Sequence, residues 1–412
     1  MEFEESLKNY LTQSEITSLM SSLNEQSKHA VLLNTNKIDE KTFLSLFPNV
    51  TKHPLVKNAF LYDKAEYDLG KTVLHELGAF YLQEPSAMIV TSLLNPDELD
   101  TVLDLCAAPG GKTIQASFLM NNKGLIMAND LSPARSKLIL DNVERLGLKN
   151  ILITSNNLSS FSHQYKESFT KIILDAPCSG SGMFRKDNKM RDDWSYNKVL
   201  KFQEVQKDLI LLAYSFLKCG GDLVYSTCSF SKEEDEDVIK YLLDNTDAES
   251  INIPDNPLLY KSKDKLGVHI FPNLFPGEGH YICLIHKPGI LKKHDEFLIN
   301  KYKRNNKNYI SNNYLKTSNL YIVRDGLEVG EEIGKDIKYS LQYARTLLQF
   351  DNEIEINKEQ LQSYLKGNVL NIPSKKGPIL IKYLGLSVDM AKSDGKVIKN
   401  HYPKYRRIFN YF

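Results

Sequence analysis

Two thiols and a carboxylate occupy positions at which an α/β sheet holds its ligands. The stretch Asp175-Ala176-Pro177-Cys178-Ser179-Gly180 follows the apolar run Ile172–Leu174, which reads as a buried parallel strand. Pro177 cannot continue a central strand. Asp175 and Cys178 therefore arrive just beyond a strand's carboxyl end, where open α/β sheets bind ligands. A second thiol, Cys228 in Tyr225-Ser226-Thr227-Cys228-Ser229-Phe230, stands in the same relation to the run Asp222–Tyr225. A lone free cysteine is most often a small core residue. Two at strand ends, one of them in Asp-Ala-Pro-Cys, point instead to nucleophilic chemistry. Cys219 and Cys283, beside expected strands, are assigned to the core.

Upstream, Val102-Leu103-Asp104-Leu105-Cys106-Ala107-Ala108-Pro109-Gly110-Gly111-Lys112-Thr113 spells a strand, a glycine turn and a helix start. Such a turn presents backbone N–H groups and lets a ligand approach closely. It is not the GxxxxGK[ST] loop that cradles phosphates, nor the GxGxxG of nicotinamide sites. The next strand ends Ala128-Asn129-Asp130, an acid placed to accept hydrogen bonds from ribose hydroxyls. Together these features suit an adenosine-type cofactor without a pyrophosphate, S-adenosylmethionine.

Strands and helices must alternate to position these groups, and they do from residue 86 onward. Expected helices are Ser86–Leu94, Gly111–Met120, Pro133–Leu146 (closed by Gly147), Ser195–Lys218 and Lys232–Asp244. Expected strands are Thr101–Leu105, Gly124–Ala128, Asn150–Ile153, Ile172–Leu174, Asp222–Tyr225, Val268–Phe271 and His280–His286. This is the signature of a parallel sheet with covering helices. The acidic run Glu233–Asp237 suits a helix dipole and needs no metal. Residues 3–33 carry helix-spaced apolar positions and read as a mainly helical cap. Lys287–Asn313 reads as a basic, apolar-poor linker. Beyond it, strands at Asn319–Val323 and Gly377–Leu384 and helices at Lys335–Gln349 and Lys358–Lys366 form a small α+β appendage. The expected domains are 1–80, a cap; 81–287, catalytic; 288–350, linker and first C-terminal domain; and 351–412, a second C-terminal domain.

A chain of 412 residues with 42% hydrophobic and 25% charged residues has the composition of a globular protein. It shows no apolar run long enough to span a membrane and no signal-peptide pattern at its start. Five cysteines without framework spacing point to a reducing, cytoplasmic setting. The lack of a CxxC pair argues against a cysteine zinc site, and no metal is expected. Charge is unevenly divided. Residues 1–286 hold 29 Lys and Arg against 38 Asp and Glu, a net of −9, whereas residues 287–412 hold 23 against 13, a net of +10. Such asymmetry suggests a C-terminal module that faces nucleic acid, with Tyr302, Tyr309, Tyr314, Tyr402 and Tyr405 available to stack on bases.

Leu105–Lys112, Asp175–Gly180 and Ser226–Ser229, in that order and at those strand ends, resemble the RNA (cytosine-carbon-5) methyltransferases of the Sun/Nop family. Tyr81-Leu82-Gln83-Glu84-Pro85-Ser86-Ala87-Met88 and Gly182-Met183-Phe184-Arg185-Lys186-Asp187 agree with it. The motif match covers residues 55–287. Over 288–412 the likeness, resting on Pro378–Leu384 and Lys399–Arg407, is to the RsmF-type bacterial rRNA enzymes, whose C-terminal part holds a PUA-type RNA-binding module. The resemblance implies a Rossmann-like methyltransferase sheet with an N-terminal helical or α+β cap, its strand at Asn58–Tyr62, that helps bind RNA, and a small C-terminal α+β, PUA-like RNA-binding appendage, acting as a monomer on rRNA or a ribosomal particle. It implies that Cys106 through Lys112 and Asp130 hold S-adenosylmethionine, with Asp175 near both methionine and target base. Asn157 stands where the family has an acid for the adenine amino group, and an amide oxygen can still accept there. Cys228 would be the nucleophile and Cys178 would help release product. Asp175, protonated or sharing a proton with the base, would stabilise charge at N3, with Lys112 as a second candidate. The alternatives are a catalytically silent ribosome-assembly factor, a tRNA cytosine methyltransferase and a DNA cytosine methyltransferase.

Overall fold

The computed structural model describes residues 2–161, 164–334 and 336–407. Lys335, at which a helix was expected to begin, and the chain beyond Arg407 lie outside these. At the centre is a mixed sheet. Its parallel strands are β1 (Thr101–Asp104), β2 (Leu125–Asn129), β3 (Ile151–Thr154), β4 (Phe169–Asp175) and β5 (Leu217–Thr227), in spatial order β3-β2-β1-β4-β5. Four antiparallel strands extend it: β6 (Glu249–Ile251), β7 (Val268–Ile270), β8 (His280–His286) and β9 (Ile322–Arg324). β8 pairs with β5, β6 and β7 pair with β8, and β9 pairs with β3. Strand order reverses between β1 and β4. Such a switch point opens a crevice at the strands' carboxyl ends.

The helices that cover the sheet begin and end on local chemistry. Helix α1 (Pro85–Leu94) has Glu84 as its N-cap, accepting from the Ala87 N–H. Helix α2 (Gly111–Leu119) follows β1. Helix α3 (Pro133–Leu146) is capped by Ser132 and closed by Gly147 at φ +70°. Helix α4 (Tyr196–Phe216) is capped by Ser195, and helix α5 (Glu236–Asn245) follows β5. Proline at the first turn and a left-handed residue after the last are the usual signals.

Five expectations are corrected. The N-terminal part is not mainly helical: beside helices Phe3–Leu7 and Gln13–Ser22 it holds an antiparallel sheet of Thr51–Lys52, Ala59–Tyr62, His29–Leu33 and Phe80–Gln83. Its strands are short, and the three longer ones are mostly buried on both faces, so their apolar runs do not alternate. Residues 300–313 are not a bare linker: Asn300–Arg304 and Lys307–Ser311 form a hairpin that joins Leu327–Ile333 and Asp336–Tyr339 in a second sheet. Asn305 and Asn306 both lie at positive φ, as a two-residue hairpin turn requires. Residues 336–349 therefore divide into a strand and a short helix, Leu341–Thr346. Finally, Cys219-Gly220-Gly221 lies inside β5, not in a loop after α4. The strand absorbs it by a register shift against β4, with Gly220 at φ +76°. Cys219 is exposed, not core, whereas Cys283 is buried.

The C-terminal strands Glu353–Glu355, Gly377–Tyr383, Leu386–Ser393 and Ile398–Lys399, with helix Lys358–Leu365, form a last small sheet domain. Its core is continuous with that of the N-terminal sheet, through Leu361, Tyr364 and Tyr402 on one side and Phe43, Leu74 and Phe80 on the other. Tyr402 is thus a core residue and not a free stacking platform. Tyr302 and Tyr309 stack on each other, Tyr314 hydrogen-bonds Thr101 on β1, and Tyr405 is well exposed.

Candidate active site

Adjacent parallel strands bring the two thiols together. β4 and β5 pair with Asp175 opposite Ser226, so the residues just beyond the strands must also be neighbours. The Sγ atoms of Cys178 and Cys228 lie 3.1 Å apart, both half-buried. Gly182 N–H donates to the Cys228 carbonyl at 2.8 Å, and Phe230 N–H to Ser181 Oγ at 2.8 Å. The two loops are therefore stitched to one another as well as to their strands.

Asp175 sits between them and the cofactor turn. Its carboxylate accepts from Ser226 Oγ and pairs with Lys112 Nζ, each at 2.7 Å. Burial pushes this carboxyl up, but the Lys112 ammonium, the nearby His280 and these hydrogen bonds outweigh it and hold Asp175 below the usual carboxylate value. That direction favours an ionised Asp175 paired with the Lys112 ammonium. The Cys178 thiol is pushed well up by its hydrogen bond to the Cys228 sulfur, by burial, and by Glu234 and Asp175. It stays an S–H donor beside Cys228.

The turn Cys106-Ala107-Ala108-Pro109-Gly110-Gly111 leads into α2 with Gly110 at φ +108° and no side-chain cap. Asp130, buried, accepts from Ala108 N–H at 3.2 Å and Ser132 N–H at 3.0 Å, with Arg135 at 3.5 Å. Asp104 was not singled out by the sequence. It is fully buried, takes one hydrogen bond from Thr113 at 2.6 Å, and its other oxygen has no partner among the described residues. Burial raises its carboxyl to about 7. Asp104, Asp175 and Asp130 all act electrostatically on Cys106, whose thiol is raised by burial and by those charges. Asn157 is exposed at the carboxyl end of β3, while the neighbouring Asn156 amide is taken up by the Tyr321 backbone.

The acidic run after β5 departs most from expectation. α5 begins only at Glu236, and Glu233 through Asp235 form a turn before it. Asp235 occupies the N-cap position without capping; its carboxylate accepts from Thr227 Oγ1 at 2.5 Å. Glu236 pairs with His269 at 3.0 Å, buried against Tyr10 and Phe271. Glu234 turns toward the cysteine loops. No periodicity or spacing signals these contacts. A cleft of about 920 Å³ runs along the N-terminal sheet, lined among others by His29, Tyr62, Gln83 and Glu84, with Arg185 and Glu278 on its far side. Gln83 reaches the start of α2 at Gly111.

Residues 91–286 match the family described as 16S rRNA methyltransferase RsmB/F. Residues 1–85 match the N-terminal domain of 16S rRNA methyltransferase RsmF, and 351–408 the methyltransferase RsmF PUA domain. The ribosomal RNA small subunit methyltransferase F of Vibrio vulnificus is 30% identical, over 92% of this chain and 90% of the relative. That of Shewanella piezotolerans is 32% identical, over 91% and 90%. The chain belongs to the RsmB/F methyltransferase family. A solved methyltransferase homolog protein from Pyrococcus horikoshii superposes with a TM-score of 0.61 at 29% identity, covering 69% of this chain and 93% of that one.

Members of the family are S-adenosylmethionine-dependent RNA methyltransferases, and so is this protein. The residues present fit that cofactor. An uncapped helix start offers backbone N–H groups to its carboxylate. Three buried or half-buried carboxylates, Asp104, Asp130 and Asp175, stand at the carboxyl ends of β1, β2 and β4, and their charge suits a sulfonium and an ammonium. The PUA domain supplies the RNA-binding module. Among the described residues no helix is long and apolar enough to cross a membrane.

Proposed function

We propose that this protein forms 5-methylcytosine in 16S rRNA by covalent catalysis, with Cys228 as the nucleophile. The observation that carries the reading is the meeting of two thiols, 3.1 Å apart, beside the Lys112–Asp175 pair at the sheet's switch point. The substrate assignment draws on the relatives named ribosomal RNA small subunit methyltransferase F. Carbon-5 of cytosine is a weak nucleophile until a thiolate adds to carbon-6. The Cys228 sulfur forms the bond to carbon-6, and the ring's electron pair moves toward N3, where Lys112 stabilises the charge. Asp175, held ionised, orients Lys112 and accepts from the base's exocyclic amine. S-adenosylmethionine supplies the electrophilic methyl group. The carbon-5 proton then leaves to water, its bonding pair re-forms the carbon-5–carbon-6 double bond, and the Cys228–carbon-6 bond breaks with its electron pair returning to sulfur. Cys178, kept as a thiol, donates its proton to the departing Cys228 sulfur.

The turn Cys106–Lys112 and Asp130 would hold the cofactor's methionine and ribose, and Asn157 would take its adenine. The target base leaves its stack to reach Cys228, as base-modifying enzymes require, and the cleft beside His29 and Tyr62 admits the strand. The protein acts in the cytoplasm, as a monomer.

Bisulfite sequencing of total RNA with and without the gene should show one or more cytosines of 16S rRNA lose protection. Loss at tRNA positions alone would reassign the substrate. Cys228→Ala should abolish methylation and any covalent RNA complex. Cys178→Ala should still attack but stall before release, accumulating a protein–RNA band on denaturing gels. The opposite pattern would exchange the roles of the two thiols.

A further inference from the structure

We propose that Glu234 is the positioning residue that holds the two thiols at one working distance, by clamping together the loops that carry them. The inference rests on the covalent reading above. Glu234 is fully buried and uses both carboxylate oxygens. Oε1 accepts from Ser179 N–H at 2.8 Å and from Gln206 Nε2 at 3.1 Å; Oε2 accepts from Ser179 Oγ at 2.5 Å and Ser229 Oγ at 2.6 Å. Ser179 directly follows Cys178, and Ser229 directly follows Cys228. A single carboxylate therefore ties together residues adjacent to both sulfurs, and the two serine hydroxyls lie 3.3 Å apart beneath it. Gln206, from the middle of α4, also donates to the Pro177 carbonyl at 2.8 Å. The clamp is anchored to a long helix and so does not move with either loop.

Such a device is what this chemistry needs. One thiol must reach carbon-6 while the other waits beside it, and the two are carried on loops 50 residues apart in sequence. An error of about 1 Å in the position of a reacting group can cost on the order of 10²-fold in rate. Three hydrogen bonds from the loops to one buried carboxylate, with a fourth from Gln206, add to the Gly182 and Phe230 contacts a restraint right beside the thiols, where the strands have already ended. Burial and the loss of water around Glu234 make each of those bonds costly to break. The charge of Glu234 also contributes to keeping Cys178 protonated.

The test uses the full chain carrying Cys178→Ala, with an rRNA transcript and S-adenosylmethionine, and reads the rate at which the denaturation-resistant adduct forms. In that background Glu234→Ala should slow adduct formation about 10²-fold, with dissociation constants for cofactor and RNA unchanged. Glu234→Gln keeps the shape. Its amide oxygen serves Ser179 N–H and Gln206, and its NH2 can donate to serine hydroxyls, which also accept. It should return the rate to within about threefold of the Cys178→Ala parent. Ser229→Ala detaches only the second loop and removes a single oxygen, so it reports on the clamp even if Glu234→Ala does not fold; a slowing of about tenfold is expected. Parental rates in folded Glu234→Ala or in Ser229→Ala overturn the clamp. So does a folded Glu234→Gln as slow as Glu234→Ala, since charge and not geometry would then be at work. An absence of adduct from the Cys178→Ala parent itself overturns the covalent reading, and the clamp with it.

Discussion

Asp104 and Asp130 are both buried at strand ends, and their burial makes a part for each in holding a cationic cofactor measurable. Asp130 offers a carboxylate at the end of β2, and loss of a charged hydrogen bond costs about 1.5–3 kcal/mol. Asp130→Ala should therefore weaken S-adenosylmethionine binding by calorimetry about 10- to 100-fold; equal affinity would remove Asp130 from the ribose site. Asp104 is raised to about 7 by burial. As pH rises through that value the carboxyl ionises and attracts the sulfonium, so cofactor affinity should increase between pH 6 and 8. Asp104→Asn, uncharged throughout, should flatten that dependence. A pH profile shared by Asp104→Asn and the parent would place the titrating group elsewhere.

Between loops, the contact that matters most is backbone against backbone. A Cβ at Gly182 would meet the Gly279 carbonyl oxygen at 2.7 Å and the Cys228 carbonyl oxygen at 2.9 Å, and neither is the far end of a flexible chain. Gly182→Ala should push the Cys178 loop away from the Cys228 loop and β8. The expected outcome is a fall in kcat of about 10²-fold with cofactor affinity retained. Retained kcat would show that these loops tolerate separation. The N-terminal helices share this dependence. Phe3, Leu7 and Leu11 pack on Phe184, Phe230 and Phe271, and Tyr10 Oη donates to the Phe230 carbonyl. They brace the same two loops from outside.

Across the whole molecule, the basic C-terminal part is docked. Glu76, buried on the N-terminal helix Val73–Glu76, accepts from Tyr402 Oη at 2.5 Å and pairs with Arg345 at 3.6 Å and Arg406 at 4.0 Å. Removing one partner of a buried ion pair strands the others' charge at a cost of about 3–5 kcal/mol. Glu76→Ala should lower Tm clearly, and a Tm unchanged from wild type would show that the apolar contacts suffice. Truncation before Asp351 should weaken RNA binding and flatten its salt dependence, because fewer phosphates are neutralised. It should also lower Tm, since Leu361 and Tyr364 leave a core shared with Phe43 and Phe80. An unchanged salt slope would take the RNA contacts away from this domain.

What the chain declares along its own length is local. Apolar runs ended by Pro177 or by Gly110, the caps at Ser132 and Ser195, and the thiols beyond two strands are all readable because strand ends and helix starts depend on a few consecutive residues. The same holds for the glycine turn, Asp130 and the charge gradient. The Asn300–Ser311 hairpin escaped because both of its faces are polar and its strands do not alternate; Asn305-Asn306 is its one local signal. Contacts set by strand order were beyond reach. That Cys178 and Cys228 meet follows from β4 and β5 being neighbours in register, not from the spacing between them. Asp104, Glu234 and Glu76 read as ordinary acids in sequence. A carboxylate's role is assigned by whatever surrounds it once water is excluded, and those surroundings come from segments that only the folded chain brings together.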